Sequence, residues 1–236
     1  MRILLIGYGK MGRAIESLAL KRNHTIAGRI APGTGLSFEF TSPVDVAIEF
    51  TIPESAAQNI RVCLDHAIPV LSGTTGWLQK KAETDAYCRS KKGVFFYASN
   101  FSLGVNLFFK LNEQLAQMMN SQPDYDVSID EIHHTQKKDA PSGTAITLAE
   151  GIVKSIDRKK QWVKSETQHP GDLVIHSFRE DPTPGTHTIR YQSPIDDIEI
   201  KHTAHSREGF ARGALAVAEW LPKQAGVLNM DDFLKF

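Results

Sequence analysis

The pattern of apolar and polar residues divides the chain into two regions. In the first region, short apolar runs alternate with segments in which apolar residues recur at helical spacing, and this alternation predicts a parallel, doubly wound α/β sheet. The predicted strands end in short polar turns rich in glycine. The runs that predict strands are RILLI at 2–6, HTIAGRI at 24–30, VDVAIEFT at 44–51, IPVLSGTTG at 68–76 and GVFFYASNF at 93–101.

The second region begins with a long amphipathic helix over 102–119, after which strands dominate. Strands at 125–133, 173–179, 185–192 and 197–205 surround a single helix at 144–156. This pattern predicts a smaller α+β domain with an open mixed sheet. A helix at 209–221 and an apolar tail (Phe233, Leu234, Phe236) are expected to return to the first domain. We therefore predict one domain from 1–101 and 209–236, and another from 102–208.

Composition and charge narrow the classes of function. The chain has 236 residues, 41% hydrophobic and 23% charged, with a net charge of zero, so nothing indicates a nucleic-acid partner. The apolar N-terminal run is interrupted at Gly7, and no later run is long enough to cross a membrane. Cys63 and Cys88 have neither metal-binding nor redox spacing, which favours a reducing, cytoplasmic setting.

Three glycines directly follow the first predicted strand. Gly7, Gly9 and Gly12 form G-x-G-x-x-G between this strand and a helical pattern, the context that dinucleotide binding requires. The first glycine allows the tight turn, the second lets the backbone approach a pyrophosphate, and the third lets helix and strand pack closely. Because ligands of such sheets collect at the carboxyl ends of the strands, Phe50-Thr51, 73–76 and 98–101 are expected at the same edge.

Residues 131–145, EIHHTQKKDAPSGTA, crowd ionisable groups in front of a predicted helix N-terminus. Unpaired backbone N–H groups around Gly143 and Thr144, together with Lys137 and Lys138, suit a small carboxylate or phosphate ligand. Two other interpretations remain open from these residues alone. The segment can be an ordinary capped helix behind a solvated loop, or the adjacent histidines can bind a metal, although neighbouring strand residues face opposite sides.

The same segment resembles the signature of the 4-hydroxy-tetrahydrodipicolinate (dihydrodipicolinate) reductase family. Five further blocks carry the resemblance along nearly the whole chain: GYGKMG at 7–12, FTIPES at 50–55, GTTG at 73–76, ASNFSLGVN at 98–106, and IEIKHTAHSREGFARGAL at 198–215. The resemblance implies a Rossmann-like N-terminal domain, a substrate domain that builds a homotetramer, and reduction of a small dicarboxylate with NADPH or NADH. That reaction belongs to the diaminopimelate route to lysine, and no metal is expected.

The resemblance also implies roles for single residues. His133 matches the acid/base histidine of the family and Lys137 its proton donor, whereas His134, Gly143 and Thr144 match its substrate contacts. With the strand-end residues named above, the expected cofactor contacts are Gly7, Tyr8, Gly9, Lys10, Met11, Gly12, Arg29, Phe50, Thr51, Gly73, Thr74, Thr75, Ala98, Ser99, Asn100 and Phe101.

This chain departs from the family pattern in three places. Its glycine turn is one residue shorter than in many members, and Thr186 stands where many have glutamate between Gly185 and His187. The second strand ends in Arg29 and lacks the acid that normally binds the adenosine ribose, which favours NADPH. Two rival interpretations remain. One is another two-domain nicotinamide dehydrogenase, which would not account for the PSGT block. The other is a non-catalytic dinucleotide sensor, which needs neither His133 nor Lys137.

Overall fold

The computed structural model describes residues 1–31, 43–164, 167, 169–206 and 208–235. The chain folds as two compact units, Met1–Leu103 with Glu208–Phe236 and Gly104–Arg207. No helix in the described ranges is both long and apolar enough to cross a membrane.

The first unit contains, among its described residues, a six-stranded sheet in the order β11-β5-β4-β3-β1-β2, in which every pair is parallel. This confirms the predicted doubly wound sheet. The strands are β1 (Arg2–Ile6), β2 (Thr25–Ile30), β3 (Val46–Glu49), β4 (Val70–Ser72), β5 (Val94–Tyr97) and β11 (Gly226–Leu228). The helices are α1 (Lys10–Lys21), α2 (Pro53–Asp65), α3 (Lys81–Ser90), α6 (Glu208–Trp220) and α7 (Met230–Leu234), with short 3-10 turns at Leu78–Lys80 and Leu221–Lys223.

Alternating side chains of the buried strands build a core on each face of this sheet. Ile3 and Leu5 of β1 pack in a cluster with residues of α1 and α6, whereas Leu4 and Ile6 pack in another with residues of α2 and α3. Phe233 of the tail packs against the first cluster, as predicted, while Phe236 lies outside the described residues. The tail also adds β11, which the sequence did not predict because GVL is too short to show a period.

The second unit contains a mixed sheet of five described strands in the order β10-β9-β6-β8-β7. Strands β6 (Asp126–His133), β8 (Asp172–Arg179), β9 (Gly185–Gln192) and β10 (Asp197–Ala204) match the four predicted ones, and the three-residue β7 (Gln161–Val163) was not predicted. Helices α4 (Leu103–Met119) and α5 (Gly143–Ser155) supply side chains to its core. The α+β architecture with an open mixed sheet is therefore confirmed.

Helix α6 lies unusually close to the end of the fifth strand of the first unit. A Cβ built at Gly213 would lie 1.7 Å from the backbone oxygen of Phe101, a distance that no side chain tolerates. At Gly209, in the same helix, the nearest atom to such a Cβ is Ser102 Oγ at 3.5 Å, an ordinary contact. The close approach of helix and backbone therefore depends on glycine at 213 and not at 209.

We expect Gly213→Ala to lower the free energy of unfolding by about 3 kcal/mol or more, because the backbone must separate to admit the methyl group. Gly209→Ala is the matched control and should be neutral or stabilising by up to about 1 kcal/mol, since alanine favours helix. Thermal denaturation of both variants measures the difference. Equal melting temperatures for the two variants would contradict the packing argument.

Candidate functional site

The chain reverses the direction of sheet growth between β1 and β3. From β1 the chain adds β2 on one side and β3 on the other, which creates a crevice at the carboxyl ends of these neighbouring strands. The glycine turn follows β1, and Phe50-Thr51 follows β3, with the Phe50 N–H donating to the Ile6 oxygen at 2.8 Å. This is the position in an open parallel sheet where a dinucleotide binds.

The three glycines of the turn have different surroundings. At Gly7, where φ is +95°, a Cβ would lie 1.9 Å from Phe50 O, and at Gly12 it would lie 2.5 Å from Gly7 O. At Gly9 a Cβ would meet no described atom within 4 Å. Gly9 is also the N-cap of α1, so the open backbone there lies beside the partly positive end of the helix. The backbone of the turn is therefore open to a ligand at Gly9, and pyrophosphate binding there stays a prediction.

A buried carboxylate, Glu49, connects the other segments of this edge. It accepts hydrogen bonds from Ser72 Oγ, from Thr74 Oγ1 at 3.0 Å, and from both the hydroxyl and the N–H of Thr51. Thr51 N–H also donates to Thr74 Oγ1 at 2.8 Å. Glu49, which has no exposed surface, thus fixes the predicted contacts Thr51 and Thr74 beside each other.

The remaining predicted cofactor contacts lie around this edge. The rings of Phe50 and Phe101 are 5.5 Å apart, and a Cβ at Gly73 would collide with the Phe50 ring at 2.1 Å. Ala98 and Phe101 are buried, whereas Lys10, Thr75 and Ser99 are exposed, and Met11 and Asn100 are half-buried.

Arg29, at the end of β2, pairs with a carboxylate that the sequence pattern did not reveal. Its guanidinium donates to Glu16 Oε1 of α1, with the Nε contact at 2.8 Å, and lies over the Tyr8 ring at 5.7 Å. The Tyr8 hydroxyl also donates to Glu16. The hydrogen bonds from Arg29 and then from Tyr8 hold the pKa of Glu16 below its usual range. Arg29 therefore has an acidic partner that comes from α1 and not from β2.

In the second unit, β6 carries two ionisable side chains on its buried face. Glu131 and His133 alternate with half-buried residues, so both point to the side where Val127 and Ile129 enter the core. Neighbouring strands place Ser177 and His187 opposite Glu131, and Arg179 opposite His133. The sheet register thus gathers these polar groups at the carboxyl end of β6.

Glu131 is the centre of this group. Its carboxylate has no exposed surface and accepts hydrogen bonds from the Ser142 N–H at 3.0 Å and from the Ser177 hydroxyl at 2.7 Å. Arg179 Nη1 lies 3.9 Å away and His187 Nε2 3.6 Å away. Burial acts to raise the pKa of Glu131, but its contacts with His187, Ser142 and Ser177 outweigh burial and hold it at about 2. Glu131 is therefore a carboxylate at any physiological pH.

His133 lies beside this carboxylate and is neutral. Its Nδ1 is 3.5 Å from Glu131 Oε2 but has no hydrogen-bond partner among the described residues. Burial, followed by the positive charge of His187, lowers the pKa of His133 to about 4, although Glu131 acts in the opposite direction. An unpaired ring nitrogen in a buried place is costly, which is typical of groups kept for a ligand or a proton.

Lys137 lies in the loop after β6, where two contacts hold its segment. Its Nζ contacts both oxygens of Asp139 at 2.9 Å, and its side chain is 22% exposed. Arg179 fixes the loop backbone by donating to the oxygens of Lys137 (3.2 Å) and Asp139 (2.6 Å). The hydrogen bond from Lys137 lowers the pKa of Asp139. A cation is therefore kept near His133, whose pKa its charge also lowers.

Helix α5 begins immediately after this loop. Ser142 is its N-cap, and its buried hydroxyl accepts the Ala145 N–H at 3.2 Å. A Cβ at Gly143 would meet no described atom within 4 Å, so the first turn of α5 is open there. Thr144 is half-buried beside it, and His134, also half-buried, follows the end of β6. The first turn can accept an anion.

Glu131, His133 and His187 could surround a metal ion, since one ligand atom from each lies within 4.8 Å of the others. Two of the three already bond within the protein, because Glu131 accepts from Ser142 and Ser177 and His187 Nε2 lies 3.1 Å from Ser142 Oγ. We interpret the group as a polar network. The sequence-based expectation of no metal stays a prediction.

Sequence analysis did not identify three residues of this site: Glu131, Arg179 and His187. The strand period places Glu131 on the face of His133, so its participation could have been predicted. Arg179 and His187 come from β8 and β9, and no local pattern marks them; only the pairing of these strands with β6 brings them to the site.

Sequence comparison places the chain among known proteins. Residues 1–101 match the model for "Dihydrodipicolinate reductase, N-terminus" and residues 104–234 that for "Dihydrodipicolinate reductase, C-terminus". The 4-hydroxy-tetrahydrodipicolinate reductase of Christiangramia forsetii is 48% identical over 234 residues, covering 99% of this chain and 98% of the relative. The enzyme of the same name from Methanosarcina acetivorans is 37% identical over 194 residues, with 80% and 73% covered.

Solved structures share the fold. A dipicolinate-bound dihydrodipicolinate reductase from Paenisporosarcina sp. superposes with a TM-score of 0.80 at 22% identity, covering 99% of both chains. An amine dehydrogenase from Mycobacterium smegmatis reaches 0.57 at 11% identity, covering 96% of this chain and 94% of that one. With both halves matched by the family's models and a relative of nearly half identity over the whole length, this chain belongs to the dihydrodipicolinate reductase family.

Proposed function

We propose that this protein is a 4-hydroxy-tetrahydrodipicolinate reductase of the diaminopimelate route to lysine, using a reduced nicotinamide cofactor. The observation that carries the proposal is the junction of β6 and α5. There Glu131, on the same strand as the neutral His133 with its unpaired Nδ1, accepts a hydrogen bond from the Ser142 N–H at the open N-terminus of α5. Lys137 lies in the loop that joins this strand to the helix. Curated relatives of the same name over most of the chain support it.

Each unit has a separate task in this proposal. The segments 1–101 and 209–236 hold the cofactor, and 102–208 holds the substrate and builds the oligomer. A bound reduced nicotinamide supplies the hydride. The turn at Gly7–Gly12 takes the pyrophosphate, and the segments that Glu49 joins, at Thr51 and Thr74, line the same edge.

The substrate contacts follow from the charge of a dicarboxylate. The first N–H groups of α5, at Gly143 and Thr144, take one carboxylate, since a helix N-terminus attracts anions. His134 contributes a second contact to this ligand. Because Glu131 accepts the preceding N–H, at Ser142, with both oxygens (3.0 and 3.1 Å), the turn is fixed before the substrate arrives.

We assign proton delivery to Lys137. Reduction of a conjugated C=N–C=C system leaves negative charge that a proton must neutralise. His133, whose pKa is about 4, is not protonated at neutral pH, whereas Lys137 is a cation in the loop that follows β6. A dianionic substrate beside His133 would favour its protonated form, so the histidine serves as the acid/base partner.

The assembly proposed is a homotetramer. It is supported by large apolar side chains of the second unit that are exposed in the single chain: Phe178, Ile195 and Ile198. Contact with other copies would remove this apolar surface from water, which favours association.

We propose that NADPH is used at least as well as NADH. Arg29 is 47% exposed, and its guanidinium can pair with a 2′-phosphate while keeping Glu16 as a neighbour. Glu16 opposes this preference, because a carboxylate at this place accepts ribose hydroxyls and repels a phosphate. The pair therefore supports use of both cofactors.

We expect Lys137→Ala to lower kcat by roughly two orders of magnitude, the usual effect of losing a positioned proton donor. His133→Ala should do the same while leaving the affinity for reduced cofactor nearly unchanged. Lys154→Ala, which removes an exposed lysine from the last turn of α5, is the control and should retain wild-type kcat. The assay follows loss of reduced-nicotinamide absorbance with enzymatically generated substrate. Cofactor binding without any turnover in the wild type would instead favour a dinucleotide sensor.

We expect Arg29→Ala to lower kcat/KM for NADPH by about tenfold more than for NADH, since it removes a phosphate contact. Glu16→Gln should raise the NADPH advantage, because it removes the opposing carboxylate. Arg22→Ala, which breaks another exposed ion pair of the same unit, with Glu219, controls for a general loss of charge. An NADH preference untouched by either change at the Arg29–Glu16 pair would refute this assignment.

The pKa values of the site predict a pH dependence of stability. Between the ordinary pKa of histidine, 6.5, and about 4, the unfolded chain protonates position 133 while the folded chain does not. As the pH is lowered through this window, the free energy of unfolding should therefore decrease by on the order of 1–3 kcal/mol. Glu131 adds a further loss between pH 4.5 and about 2. Urea unfolding of His133→Gln should show a flatter profile above pH 4.5 than wild type or the exposed-histidine control His66→Gln.

A further inference from the structure

His187, in the middle of the second sheet, has no role in the function proposed so far. It stands opposite Glu131 in β6 and opposite His202 in β10, and it is 5% exposed. A buried imidazole between a carboxylate and another histidine is not explained by packing alone, since its ring nitrogens must be satisfied.

The contacts of this imidazole reach both halves of the site. Nε2 lies 3.1 Å from Ser142 Oγ, the N-cap of α5, and 3.6 Å from Glu131 Oε2. On its other side the ring meets the His133 ring edge to face, with centroids 5.1 Å apart at 73°. One side chain therefore contacts both the cap of the anion-binding helix and the proposed acid/base histidine.

The ring of His133 is held between two residues of β9. A Cβ at Gly185 would lie 3.1 Å from His133 Nε2, so the backbone of Gly185 closes one side of the ring. His187, two residues later on the same face of the strand, closes another. Removing the His187 ring would remove its packing contact with the ring of His133.

We propose that His187 is a positioning residue for this reaction, which fixes the carboxylate-binding turn of α5 and the ring of His133 relative to each other. This inference rests on the proposed function. Electrostatics agrees with the geometry, because after burial the charge of His187 is the main influence that lowers the pKa of His133. The other charged groups that act on His133 are Glu131, Lys137 and Arg179.

Two substitutions separate the two contacts. His187→Gln places an amide near the position of Nε2, so it can keep the bond to Ser142 without the ring charge, whereas His187→Ala loses both. His176→Ala is the matched control, because His176 also pairs with a carboxylate, Asp130, at 2.7 Å, on the opposite face of the same sheet. The readouts are Kd for dipicolinate, KM and kcat, and the pKa of His133 by NMR of histidine-labelled protein.

We expect His187→Ala to raise both Kd for dipicolinate and KM by about tenfold, the effect of losing one buried hydrogen bond. His187→Gln should restore both to within about threefold, while the pKa of His133 rises toward its ordinary value in both variants. His176→Ala should change none of these quantities.

Three results would overturn the proposal: wild-type Kd in His187→Ala, equal losses in His187→Ala and His176→Ala, or an unmoved pKa of His133 in His187→Gln. If His187→Ala does not fold, the NMR titration of His187→Gln decides. Dipicolinate binding and the NMR titration can be measured without turnover. Absence of reductase activity in the wild type would therefore refute the proposed function, whereas these two measurements test the role of His187 independently.

Discussion

A buried carboxylate that cannot be left without hydrogen bonds determines the arrangement of the second unit. Glu131 has no contact with water, and an uncompensated charge there would cost several kcal/mol. Its partners are the Ser142 N–H, the Ser177 hydroxyl and the nearby side chains of His187 and Arg179. These groups come from the start of α5, from β8 and from β9, so satisfying one carboxylate fixes three elements at the end of β6.

The first unit uses the same principle at its own edge. Glu49 is buried at the end of β3 and is satisfied by Thr51, Ser72 and Thr74 from successive strand ends. In both units a buried acid lies at or near a strand end, and its partners include residues of the adjoining turns: Thr51 and Thr74 in the first unit and Ser142 in the second. Such networks are rigid when every member is satisfied, which suits sites that must be ordered before binding.

The sequence predicted most of the elements but few of the partners. Strong periods gave β6, β8, β9, α4 and α5 nearly to their ends, because each is long enough to repeat its pattern. The three-residue strands β7 and β11 have no period to detect. The glycine turn could be predicted because its three glycines lie within one short segment and each has its own role in that segment. The pairs Arg29–Glu16 and Glu131–His187 were not, since each joins residues of different elements whose proximity only the fold determines.

The carboxylate beside Arg29 comes from α1, the helix that follows the glycine turn, and its other partner, Tyr8, lies inside that turn. The groups that would face the adenosine ribose and those that would hold the pyrophosphate are therefore connected through the hydrogen bonds of Glu16. Exchange of the charge at the end of β2 would here leave Glu16 without the guanidinium of Arg29, while the Tyr8 hydroxyl still donates to it. In this chain a substitution aimed at the adenosine ribose would therefore also change the electrostatic surroundings of a carboxylate that a residue of the glycine turn contacts.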